Sequence, residues 1–134
     1  QMLPESQRMS LDVITIAAPN LRPNPNNKWN PEPSKAIAVK PMELLAIHKK
    51  RAKRLFFIAK ANGAEVLVLG AFGCGAFQNP PEVVARAYKE VLAEFEYDFD
   101  TVEFAVYWPK RDQTANPSGN NYAVFRRVLG SKKR

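Results

Sequence analysis

Apolar positions along this chain fall into short β-branched runs separated by longer stripes at helical spacing. Leu11 to Ala18 (LDVITIAA) is almost continuously apolar from Val13, which predicts a strand covered on both faces that stops at Pro19-Asn20. After Pro41, the residues Leu44, Leu45, Ile47, Ala52, Leu55, Ile58 and Ala59 recur at three- and four-residue intervals. They predict an amphipathic helix to about Asn62, ended by Gly63. Glu65 to Leu69 (EVLVL) reads as a second buried strand. A second helix carries the stripe Val83, Val84, Ala87, Val91, Leu92 and Phe95. Its start is marked by Asn79-Pro80-Pro81-Glu82, where Asn79 accepts free N–H groups, Pro80 fits the first turn and Glu82 favours the positive helix end. Thr101 to Trp108 predicts a third strand, with Val102, Phe104 and Val106 alternating against Glu103 and Ala105, so that one face is less covered. Asn120 to Leu129 is a final helix packed through Tyr122, Phe125, Val128 and Leu129. The order β, loop, α, β, α, β, α implies an α/β fold with a parallel-type sheet flanked by helices.

Between these elements, Leu21 to Lys40 is crowded with proline and asparagine, a composition that sustains neither a helix nor a central strand. It predicts a long surface loop anchored by Trp29, a candidate lid beside a site. Pro109 to Gly119 reads as a polar loop and Ser131 to Arg134 as a basic tail. The length, 134 residues with 46% hydrophobic and 25% charged, fits one domain with a modest core and excludes two. One cysteine excludes an internal disulfide framework, and one Cys with one His argues against a metal site. No apolar run approaches the roughly 20 residues that span a bilayer, and the opening residues are too polar for a signal peptide, so the expected setting is reducing and cytoplasmic, without a membrane partner. The chain opens on Gln1 rather than Met, which leads us to expect a processed or excised piece of something longer.

A formal charge of +7 points to an anionic partner without naming it. The helix face Lys49, Lys50, Lys53, Arg54 and Lys60, with the tail Lys132 to Arg134, would suit a nucleic-acid-binding module; as a rule such a face is simply solvated. The segment Gly70-Ala71-Phe72-Gly73-Cys74-Gly75-Ala76-Phe77-Gln78 is more selective. It follows a strand and precedes a helix, where ligands bind in open α/β sheets. Gly70, Gly73 and Gly75 let backbone N–H groups approach a ligand, and the next helix adds its dipole, which together predict a cradle for a phosphate or diphosphate. The plainer reading is a tight turn that needs glycine for packing. On the cradle reading, Gly73→Val abolishes binding by filling the cradle. The segment lacks the third glycine of a dinucleotide fingerprint, and no Gly-Lys-Ser/Thr follows as in a P-loop. Cys74 lies where helix-terminal N–H groups would lower its pKa, but a nucleophile needs a base, and nothing in the spacing brings His48 to it. Phe72, Phe77 and Tyr107 stand at strand ends where a base or ribose would pack, or as core fillers.

The run Val66 to Pro80 (VLVLGAFGCGAFQNP), with Asp12 to Asn20 (DVITIAAPN) before it and Asn121 to Leu129 (NYAVFRRVL) after the last strand, resembles the microbial-type poly(ADP-ribose) glycohydrolase family, a branch of the macrodomain fold. The resemblance spans Asp12 to Leu129 and implies a three-layer α/β/α macrodomain-like fold. It further implies that Gly70 to Phe77 wraps the diphosphate of ADP-ribose, that Phe77 lies against the distal ribose, that Pro19-Asn20 lies at the ligand-facing edge, and that Tyr107 onward shapes the adenine pocket; Asn79 is counted with these as ligand-binding. Family members cleave the ribose O-glycosidic linkage of ADP-ribose chains, and no metal or other cofactor is implied. Their signature, a glycine triplet followed by Gln-Glu-Glu whose glutamate acts as general acid, does not occur in this sequence, and Glu5, Glu32 and Glu43 sit in no such context. By this resemblance the chain corresponds to the C-terminal portion of such an enzyme. The N-terminal strands and catalytic loop are missing, so no catalytic residue is assigned. The sheet would then have a gap between Asp12–Ala18 and Glu65–Leu69, to be filled by a companion N-terminal segment, a homo-oligomeric partner or a rearranged pairing.

Overall fold

The computed structural model of the chain describes residues 4–21, 39–108 and 120–130. Most of the expected loop 21–40, including Trp29 and Glu32, the loop 109–119 and the tail 131–134 lie outside the described residues. Helix α1 (Pro41–Ala61) leads into strand β1 (Val66–Leu69), helix α2 (Pro81–Leu92), strand β2 (Thr101–Phe104) and helix α3 (Asn121–Leu129); short 3-10 turns occupy Glu5–Gln7 and Ala93–Phe95. β1 and β2 pair in parallel with Val66 opposite Thr101 and Leu69 opposite Phe104. The fold class is therefore α/β with a short parallel sheet, as the alternation of elements requires. No described helix is long and apolar enough to cross a membrane.

Pro41 opens α1, where its missing N–H is no loss. The helix ends in a Schellman arrangement, with Ala64 N–H donating to Ala59 O (3.0 Å), Gly63 N–H donating to Lys60 O (3.0 Å) and Gly63 at φ +73°. α3 begins as the sequence predicts, with the Asn120 side chain accepting from Ala123 N–H at 2.8 Å. The α2 start differs from the expectation: Pro81, not Pro80, is the first helical residue, and no side chain caps the helix. Two successive prolines already remove donors that a cap would satisfy, and the Asn79 side chain is committed elsewhere.

The core is closed by helices. Leu55, Phe56 and Ala59 of α1, Val84, Ala85, Tyr88 and Val91 of α2, Phe99 and Phe125 form one buried cluster with Leu67. Phe56, fully buried, is its hub, with ring centroids 5.5 Å from Phe95, 5.9 Å from Phe99 and 6.1 Å from Tyr88. The β2 strand ends at Phe104 rather than at the expected Trp108, but along it and just beyond the expected alternation is observed: Val102, Phe104 and Val106 are half-buried, and Thr101, Glu103 and Ala105 are exposed. On the opposite face of β1, Val66 and Val68 stand 58% and 66% exposed, so among the described residues helices cover one face of the sheet and no second layer covers the other.

The strand expected at Leu11–Ala18 is not in a sheet. The segment is extended, with Ile14, Ile16 and Ala18 half-buried and the residues between them exposed, and Ile14 and Ile16 pack against the same core as Leu67. It has no ladder partner among the described residues. A cleft of about 450 Å³ separates it from β1, with Ile14 to Ile16 on one wall, Val68 to Phe72 on the other, and Leu55 and Tyr88 of the helices beneath. The sequence expectation of a strand buried on both faces fails: no described strand pairs with the segment, and its alternate residues are exposed. Glu65 O and Leu69 O accept bonds from the β2 side. In a parallel strand this directs the N–H and C=O groups of Val66 and Val68 into the cleft.

Candidate functional site

Beyond Leu69 the chain turns sharply through residues 70–78. Cys74 N–H donates to Ala71 O (3.0 Å), Gln78 N–H to Gly75 O (3.0 Å) and Asn79 N–H to Gly73 O (3.0 Å), while the N–H groups of Gly73, Gly75 and Ala76 meet no acceptor among the described residues. This loop, the carboxyl end of β2 and the start of α3 enclose a cleft of about 400 Å³ lined by Ala71, Gly75, Ala105, Val106, Tyr107, Asn120 and Asn121. The cleft lies outside the carboxyl ends of parallel strands, and the helix whose positive dipole end borders it is α3, not the α2 that follows the loop and that the sequence reading expected. No carboxylate, histidine or cysteine is among the lining residues.

Of the residues expected at the site, Ala71, Gly75 and Tyr107 line this cleft, and Tyr107 is 84% exposed. Gly70, Ala71 and Phe72 border the neighbouring cleft beside Ile14 to Ile16. Ala76 is exposed and Phe77 half-buried on the same turn. Pro19 and Asn20 lie beside the loop: Leu21 N–H donates to Phe77 O at 3.0 Å, and Pro19 O accepts from the Asn79 side chain at 2.7 Å. Sequence reading missed Ala105, Val106 and Asn121 as lining residues; the helix-start signal of Asn120 was the available clue.

Three expectations need correction. Asn79 neither caps α2 nor faces the cleft. It is 2% exposed, and its amide donates to Pro19 O (2.7 Å), Gly73 O (2.9 Å) and Phe77 O (3.4 Å) while its Oδ1 lies 2.9 Å from His48 Nε2. Gly73 does not leave room for a ligand: a Cβ there would lie 2.5 Å from Ala18 Cβ and 2.6 Å from Asn79 Nδ2, at φ +73°. Gly75 is the position whose Cβ would meet open space beside the cleft. Cys74 is not activated. Burial pushes its thiol up to about 12, and its Sγ lies 3.7 Å from Phe72 O.

His48, expected as a surface or satisfied histidine, is the latter: it is 2% exposed, with its ring edge-on to Phe72 at 6.0 Å. Burial, joined by the nearby Arg51 charge, lowers its pKa despite the Asn79 hydrogen bond. Trp108 and Tyr122 stack at 4.8 Å and 14° and join the end of β2 to α3. The basic face of α1 is largely spent within the molecule. Lys49 pairs with Glu90 (2.8 Å), Lys53 with Glu94 and Lys60 with Asp98 (2.7 Å), leaving Lys50 and Arg54 of that face to solvent.

No family model matches the chain, and no curated protein does. Among solved structures, poly(ADP-ribose) glycohydrolase from Deinococcus radiodurans in complex with ADP-ribose matches at 36% identity and a TM-score of 0.57. The chain is similar to bacterial poly(ADP-ribose) glycohydrolase. The match covers 66% of this chain and 34% of the glycohydrolase, so the chain spans about a third of that enzyme's length. The apo form of the same glycohydrolase matches at 35% identity and a TM-score of 0.54, over the same shares of the two chains. At this identity the likeness extends to sequence as well as fold, and it agrees with the macrodomain-like resemblance read from Val66 to Pro80.

Proposed function

We propose that the chain binds ADP-ribose, free or as the terminal unit of poly(ADP-ribose), in the cleft between the glycine loop and the α3 N-terminus. The observation that carries this reading is the run of backbone N–H groups at Gly73, Gly75 and Ala76 that meet no acceptor among the described residues, in a loop whose Gly75 lines the cleft beside a helix N-terminus at the carboxyl end of the sheet. A diphosphate supplies the missing acceptors. Tyr107 and the aliphatic stretch Ala105-Val106 offer an apolar wall for the nucleoside. The glycohydrolase relative was crystallised with ADP-ribose, which supports the same ligand here.

Hydrolysis of the ribose linkage needs a general acid, and among the described residues those lining the cleft provide none. We assign it to a companion segment that enters the sheet between residues 14–16 and β1, with this chain supplying the binding cleft. A reducing, cytoplasmic compartment, in which Cys74 stays a thiol, fits this role. Calorimetric titration tests the binding. The wild-type chain is expected to take up ADP-ribose, and Gly75→Val to weaken it about tenfold or more with an unchanged melting temperature. Absence of binding to a folded wild-type sample at millimolar ligand overturns the reading, as does a Gly75→Val variant of unchanged affinity.

A further inference from the structure

The most elaborate polar arrangement in the described residues lies behind the cleft. The Asn79 amide nitrogen faces three carbonyls, those of Pro19, Gly73 and Phe77, so it must be the donor end; reversing the amide would set an oxygen against three oxygens. Its Oδ1 then needs a donor, and His48 Nε2 is the group within reach, at 2.9 Å. Both side chains are 2% exposed, so water does not stand in for either. A single histidine proton thereby fixes the orientation of an amide that ties the glycine loop to the end of the 11–18 segment. His48 also touches the loop directly, at the Phe72 ring.

We infer that His48 is a positioning residue for the binding site: through an Nε2–H donated to Asn79, it holds the glycine loop in its ligand-ready shape without itself reaching the ligand. The inference rests on the ADP-ribose reading for its affinity readout, and on the fold alone for its structural one. Arg51 on the same helix is the charged neighbour that acts on this ring. Because the ring is neutral in its ordinary state, the tautomer matters. The Nδ1–H form would present a lone pair to Asn79 Oδ1 and break the chain of bonds.

Two variants and three measurements test this. Nitrogen-15 NMR of the His48 ring in the wild-type chain is expected to show the proton on Nε2; a proton on Nδ1 overturns the inference. His48→Leu, which leaves Asn79 Oδ1 without a donor, is expected to weaken ADP-ribose binding about tenfold, the scale of one buried acceptor left unsatisfied. His48→Gln, whose amide can donate in the same direction, is expected to stay within about threefold of wild type. Equal affinities for the Leu variant and wild type overturn the inference. Hydrogen exchange at the Asn79 backbone N–H, which donates to Gly73 O, separates the two readings. If wild type binds no ADP-ribose, the ligand assignment fails, while faster Asn79 exchange in His48→Leu than in His48→Gln still upholds the positioning role. Equal exchange in the two variants overturns it.

Discussion

Gly73 and Gly63 share one backbone angle, φ +73°, and differ in what surrounds them, which makes the pair a direct measure of how tightly the glycine loop is seated. At Gly63 an added Cβ meets nothing within 4 Å, so Gly63→Ala carries only the left-handed backbone cost, roughly 1 kcal/mol. At Gly73 the same methyl would lie 2.5 Å from Ala18 Cβ and 2.6 Å from Asn79 Nδ2. The conformational cost is then joined by overpacking of about 2 kcal/mol, because neither neighbour is the loose end of a flexible side chain. Gly73→Ala is therefore expected to cost about 3 kcal/mol, three times the control. Urea unfolding followed by far-ultraviolet circular dichroism, with a common slope for the variants, reads the two values side by side. At roughly 4 °C per kcal/mol for a chain of this size, the melting temperatures should fall by about 4 and 12 °C. Losses within about 0.5 kcal/mol of each other would refute the contact between the loop and the 11–18 segment.

Phe56→Ala should be among the most damaging core changes, about 3–5 kcal/mol, since it removes the hub that Tyr88, Phe95 and Phe99 surround; a loss below about 2 kcal/mol in the same urea assay would count against that packing. Acidification should destabilise the chain through His48. Its folded pKa lies below the ordinary 6.5, so the unfolded chain takes up the proton first and stability falls as pH drops from above 6.5 through the folded value. Urea midpoints at pH 8 and pH 5 should therefore differ more for wild type than for His48→Gln, and equal differences would contradict the burial of that ring.

The helices were legible because each carries its signals locally. Pro41 and the Gly63 turn bound α1, and Asn120 caps α3, whatever the rest of the molecule does. The loop from Gly70 was legible as a turn between β1 and α2 for the same reason: its glycines follow a strand pattern and precede a helix start. What failed depends on distant partners. Val13 to Ala18 has the composition of a buried strand, but a strand is defined by its neighbour, and composition does not say whether the neighbour is in the same chain. Asn79 looked like a helix cap because it precedes two prolines; only the fold brings His48, 31 residues earlier, to its oxygen. The α1 lysines looked free to meet an anion because their acidic partners lie about 40 residues later, on and just after α2.

The cleft between residues 14–16 and β1 gives the chain a built-in reporter. Leu67 and Leu69 spend their main-chain groups on β2, whereas Val66 and Val68 present theirs to the cleft, so amide protection along β1 should alternate residue by residue. A strand that slid into the cleft would erase the alternation at two positions and leave its neighbours untouched. The occupant would thus announce itself in the spectrum of four consecutive valines and leucines, before any enzymatic assay was attempted.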